Sequence, residues 1–122
     1  IHELGGYKVQ GRGPHQEKAL IELAVALEEA GCFSILLEMV PGALADKITS
    51  TVGVPTIGIG AGLHCNGQVL VTQDVVGLTE RGPRPSFVKR YADVHSVMKT
   101  AVSQFINDVK ASQFPEDSHT FK

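Results

Sequence analysis

Links of two or three residues between segments of different period leave a chain few ways to fold. Here the continuous apolar run Phe33 to Glu38 stops, two residues intervene, and Pro41 opens a segment whose apolar positions Leu44, Ile48 and Val52 recur at helical spacing. An unbroken run, rather than an alternating one, is the pattern of a strand covered on both faces, as parallel sheets require. Upstream, Leu20, Leu23, Ala24, Leu27 and Ala30 gather along one stripe of a helix that opens at Pro14 and stops at Gly31. Gly53 and Pro55 close the second helix. Strands follow at Val54 to Gly60 and Gln68 to Thr72, joined by the turn-rich "AGLHCNG", in which Asn66-Gly67 is the strongest local signal.

The last helix is predicted to start near Ser86, an N-cap after Pro83 and Pro85. Its core stripe would be Tyr91, Val94, Met98, Ala101, Val102, Phe105 and Val109, with Pro115 marking the end. In the polar tail "PEDSHTFK", His119 and Phe121 either dock on a neighbour or fray. The order helix, strand, helix, strand, loop, strand, helix predicts an α/β protein with a parallel sheet. Three such strands expose two long edges and leave one face poorly covered, so partner strands are expected from N-terminal sequence or from another chain. The opening "IHELGGYKVQGR" has neither the basic start nor the apolar core of a signal peptide and reads as an internal loop. The chain is therefore expected to be the back part of something larger.

A length of 122 residues, 43% of them apolar and 20% charged, suits one small globular domain. The formal charge of −2, with no run of like charge, points away from nucleic acid and membrane surfaces and toward a small molecule or another protein chain. No segment approaches the roughly 18 apolar residues that span a bilayer. Two cysteines, Cys32 and Cys65, make neither a disulfide framework nor paired metal spacing, so a reducing compartment is the default.

Side chains and loops at the carboxyl ends of strands face the ligand in open α/β sheets and eight-stranded barrels. Glu38 ends the first strand, just before a helix N-terminus, where desolvation would raise its pKa toward that of a general base for carbon acids. The plain alternative is a carboxylate that pairs with a lysine or caps the backbone. "GIGAG", Gly58 to Gly62, closes the second strand and lets backbone approach a ligand. It is not a dinucleotide fingerprint, because the third glycine would fall at Leu63 and no helix follows; phosphate binding is the better rival. Asp74 lies beyond the third strand and reads first as a turn or cap residue. His64 and Cys65 adjoin the glycine loop but lack further ligands, so no zinc site is expected. His2, His15 and His95 read as surface or helix positions that their spacing does not recruit. Lys8, Gln10 and Arg12 form a polar cluster in "GGYKVQGRG", a glycine-bracketed mobile loop able to cover a site.

Taken together, "GGYKVQGR", "LLEMVP", "PTIGIGAG", "NGQVLVTQDVVGLT" and "FVKRYADV" resemble, in order, the C-terminal half of the ketopantoate hydroxymethyltransferase family. The resemblance runs over nearly the whole chain, down to "FPEDSHTF". It implies a (β/α)8 TIM barrel of about twice this length, with residues 1–122 forming the C-terminal part of that single domain and its sixth to eighth strands. It also implies transfer of a hydroxymethyl group from 5,10-methylenetetrahydrofolate to 3-methyl-2-oxobutanoate, giving 2-dehydropantoate for pantothenate biosynthesis. Glu38 matches the family's proton-abstracting glutamate. The family's Mg²⁺ would polarise the keto acid, but its ligands, and the substrate-contacting lysine and histidine, belong to sequence N-terminal to this chain, so none maps onto these 122 residues. The folate-contacting residues stay unassigned. The chain alone is thus expected to be inactive and to need the N-terminal half, in a cytoplasmic homo-oligomer, with a mitochondrial location left open for a eukaryotic source. The alternatives are an inactive truncated fragment, an assembly module, and a phosphate-binding TIM-barrel enzyme of other specificity.

Overall fold

A computed structural model describes residues 9–79 and 85–121. The chain divides into two compact units, Ile1–Leu70 and Val71–Lys122.

The first unit is built from helix α1 (Pro14–Glu29), strand β1 (Ile35–Glu38), helix α2 (Gly42–Thr51), strand β2 (Thr56–Ile59) and the short strand β3 (Gly67–Gln68). The strands run parallel in the order β1-β2-β3, with Ile35 opposite Thr56 and Glu38 opposite Ile59. The predicted mixed helix and parallel-sheet arrangement is observed. Pro14 sits in the first turn of α1, and α2 stops at Val52, whose extended backbone leads into Gly53.

Both helices bury side chains on the same face of the sheet. Ile35 and Leu37 of β1 join Ala24 of α1 and Leu44, Ala45 and Ile48 of α2 in one cluster, which Val40, Val52, Ala61 and Cys65 complete. Burial of a side chain the size of Ile48 contributes about 1.5 to 3 kcal/mol. The helices are also tied by polar contacts: Lys47 pairs with Glu17, and Glu28 Oε1 accepts from the Gly53 amide at 2.8 Å. The opposite sheet face carries Leu36, Glu38, Ile57 and Ile59, and there the described residues of the first unit supply no helix. The pattern of β1 predicts cover on both faces; instead the strand alternates, with Ile35 and Leu37 buried and Leu36 58% exposed. The stripe of α1 is shifted too, because the helix turns Ala24, Leu20 and Ile21 inward and leaves Leu23 and Leu27 exposed.

The second unit holds the four-residue helix α3 (Thr72–Val75), helix α4 (Val94–Lys110) and a 3-10 turn (Asp117–His119). The third strand therefore ends well before the predicted Thr72. Val71 caps α3, its carbonyl accepting from the amides of Asp74 and Val75, so the apolar run "VLV" leaves the sheet for a helical turn.

α4 begins at Val94, not near Ser86, which corrects the predicted start; Pro83 lies outside the described residues. The intervening backbone forms no helix while Tyr91 and Val94 donate to the carbonyls of Val75 and Val76, and only then does Asp93 cap α4 by accepting from the Ser96 amide at 3.2 Å. Bonding to the Ser96 side chain, then to its amide, holds the Asp93 carboxyl below its ordinary pKa, with Arg90 and His95 adding attraction. α4 has no buried residue: Met98, Val102, Phe105 and Val109 of the predicted core stripe are all exposed. In the tail, Phe114 packs edge-on against Phe105 at 5.4 Å and lies against the His119 ring at 5.3 Å, while Phe121 is exposed. Among the described residues no helix is long and apolar enough to cross a membrane.

Candidate functional site

Glu38 is the last residue of β1, at its carboxyl end, on the face that the helices do not cover. The alternation of the strand puts it on the same side as Leu36 and across from Ile59. Its side chain is exposed among the described residues, so these do not supply the desolvation expected from the sequence.

The next residue, Met39, adopts a left-handed conformation with φ 52°, uncommon for a residue other than glycine. It is held on both sides. Its amide donates to the Ile59 carbonyl at 2.9 Å, and its own carbonyl accepts from the Gln10 amide at 3.0 Å. Gly11, buried and at φ +82°, lies so close to α2 that an added Cβ would overlap Leu44 Cδ2. The segment predicted as a mobile cover is thus pinned at Gln10 and Gly11 to the junction of β1 and α2. Arg12 is exposed; Lys8 lies outside the described residues. A groove of about 180 Å³ runs along β1, where Gln10 and Glu38 are the polar lining residues among Leu20, Leu23, Leu27, Leu36 and other apolar side chains.

"GIGAG" follows β2 and does approach backbone closely, but the backbone it meets is that of α2. A Cβ on Gly62, at φ +77°, would come within 3.0 Å of Gly42 Cα, and Gln68 Nε2 donates to the Gly62 carbonyl at 2.9 Å. No helix starts between this loop and Thr72, unlike the arrangement a dinucleotide fingerprint needs. Asp74 falls inside α3, in the second unit, rather than on a loop beyond a strand. His64 pairs with Asp46 at 3.7 Å, His95 Nδ1 lies 3.3 Å from the Leu78 carbonyl, and His15 is exposed; His2 lies outside the described residues. Cys32 and Cys65 are free thiols. Among the described residues, no three His, Cys, Asp or Glu side chains are grouped to hold a metal ion.

A sequence model of the family described as ketopantoate hydroxymethyltransferase matches residues 1–117. The chain belongs to the ketopantoate hydroxymethyltransferase family. Relatives named 3-methyl-2-oxobutanoate hydroxymethyltransferase include one from Geobacter metallireducens, 51% identical over 121 residues, which covers 99% of this chain and 45% of that protein. One from Carboxydothermus hydrogenoformans is 52% identical over 121 residues, 99% of this chain and 44% of that protein. One from Nocardioides sp. is 54% identical over 120 residues, 98% of this chain and 40% of that protein. The relatives are named as enzymes, and the chain spans somewhat less than half the length of each.

In this family member Glu38 stands out from sequence by its place at a strand end. Sequence pattern gives no such signal for Met39, whose part is played by backbone, or for the pair Thr56 and Asn66. Thr56 is fully buried; its amide donates to Asn66 Oδ1 at 2.9 Å, its hydroxyl donates to the same atom at 3.1 Å, and Thr49 Oγ1 donates to Thr56 Oγ1 at 2.8 Å. This network lies at the opposite end of β2 from Ile59, the residue across from Glu38, so it fixes the entry of β3 and takes no part in the candidate site.

Proposed function

We propose that this chain forms part of a 3-methyl-2-oxobutanoate hydroxymethyltransferase, in which Glu38 removes a proton from the carbon beside the ketone. One observation carries the reading: Glu38 ends β1 on the uncovered sheet face, followed by a left-handed residue that is bonded on both sides. The C–H electron pair becomes that of an enolate, whose carbon forms the new bond to a one-carbon unit. The donor is 5,10-methylenetetrahydrofolate: water cleaves both C–N bonds of its methylene bridge, and tetrahydrofolate leaves with a proton on each nitrogen. The enolate carbon adds to the released formaldehyde-level carbon, whose oxygen takes up the proton removed earlier to give the hydroxymethyl group. The product, 2-dehydropantoate, leads to pantothenate.

The parallel strand order, the two helices on one face and the uncovered apolar face fit a segment of a (β/α)8 barrel, whose remaining strands would close over Leu36 and Glu38. Those strands belong to the part of the relatives that lies beyond the stretch this chain matches, and activity depends on them. The described carboxylates do not fit a Mg²⁺ site, which needs near-octahedral oxygen ligands, so no step is assigned to the metal through this chain. The ligands would come from the rest of the barrel. The exposed stripe of α4 supports a homo-oligomer, and two free thiols support a reducing, cytoplasmic setting.

The test combines this chain with the part of the Geobacter metallireducens relative that it does not span, and follows deuterium exchange at the carbon beside the ketone of 3-methyl-2-oxobutanoate. Exchange is expected with the parent, and Glu38→Gln should reduce it about a hundredfold, the scale of a positioned general base. A loss below roughly tenfold would remove Glu38 from that role.

A further inference from the structure

Between the end of β1 and the cap of α2 the chain must turn within two residues, and the turn falls on one of them. Met39 has φ 52° while Glu38 still pairs in the sheet opposite Ile59. Residues held in sparsely populated backbone regions persist where their surroundings over-determine them, and they concentrate at active sites. Here the surroundings are explicit. The Met39 amide is committed to the Ile59 carbonyl, and its carbonyl to the Gln10 amide. On the far side, Gly11 packs against Leu44 and Leu20 so closely that an added Cβ would overlap Leu44, which seats the strap bearing the Gln10 amide against the two helices.

A residue at position 39 returning to negative φ would rotate the peptide planes on either side, and the two bonds could not both survive. Glu38 is the residue whose Cα–C bond leads into the first of those planes. With no side-chain partner for Glu38 among the described residues, the backbone of Met39 is what aims its carboxylate. We infer that Met39 is a positioning residue for Glu38, acting through its left-handed backbone. The inference rests on the assignment of Glu38 as the base and goes further by naming what orients it.

The consequence is a dependence on backbone preference instead of side-chain size. Asparagine tolerates the left-handed region, whereas β-branched valine resists it. In the reconstituted enzyme, Met39→Asn should keep most of the deuterium exchange rate. Met39→Val should lower kcat for exchange by roughly tenfold or more, with KM for the keto acid little changed, because misplacement of a base affects the chemical step more than binding. Thermal melts of both variants accompany the kinetics, so that a folding defect in Met39→Val is visible as such, and Met39→Asn still carries the test.

Equal losses in the two variants, or a Met39→Val enzyme with unchanged kcat, would overturn the positioning role while leaving Glu38 in place. An unimpaired Glu38→Gln enzyme would instead overturn the assignment of the base, and the inference about Met39 would fall with it.

Discussion

Thr56 is the residue on which the first unit is most sharply determined. Its hydroxyl, fully buried, stands between Thr49 and Asn66, and no buried side-chain polar atom among the described residues lacks a partner. Thr56→Val keeps the shape but leaves Thr49 Oγ1 without its acceptor and Asn66 with one donor fewer. We expect a loss of about 1 to 3 kcal/mol, read as a lower denaturant midpoint at unchanged slope. Asp93 offers a pH test. Its folded pKa lies below the unfolded value, so the cap stabilises α4 above the ordinary carboxylate range and is lost as pH falls through the folded pKa. Exchange protection of the Ser96 amide should drop over that acid interval, and Asp93→Asn, which still caps, should remove the pH dependence. At this scale Glu38 was legible because a charge at the end of an apolar run stands out. Met39 was not legible: a proline at 41 disfavours helical backbone at Val40, but nothing in residue type marks a methionine for the left-handed region.

The elements of the first unit follow from the pattern of their apolar residues, and α2 is bounded as Pro41 and Gly53 indicate. The contact between α2 and the loop after β2 depends on two glycines meeting backbone to backbone. Gly62→Ala meets both a left-handed φ and Gly42 Cα at 3.0 Å, so it should destabilise the unit by roughly 1 to 3 kcal/mol, measured by thermal or denaturant unfolding. The start of α4 was not legible, since Ser86 is as good a cap as Asp93 by residue type. What decides between them is the bonding of Tyr91 and Val94 to the carbonyls of Val75 and Val76, a contact no local pattern encodes. The third strand failed in the same way. "QVLVT" reads as a strand, but a run of that length is equally compatible with a two-residue strand and a helical turn.

For the whole molecule, the sheet is the decisive feature. A parallel sheet with one helix-covered face and one face carrying Leu36, Ile57 and Ile59 is half of a two-sided arrangement. The sequence already implied that shortfall, because three parallel strands cannot cover themselves; the barrel that would complete them is part of the proposal. The chain alone should bind a hydrophobic dye such as ANS, and addition of the remainder of the relative should suppress the signal. An ANS response unaffected by that addition would count against closure over this face. The most direct measurement is deuterium exchange into 3-methyl-2-oxobutanoate by the reconstituted enzyme, with and without Glu38→Gln. With Glu38 as the base, exchange is expected in the parent and a loss of about a hundredfold in the variant; exchange that survives the substitution at nearly the parent rate would contradict that role.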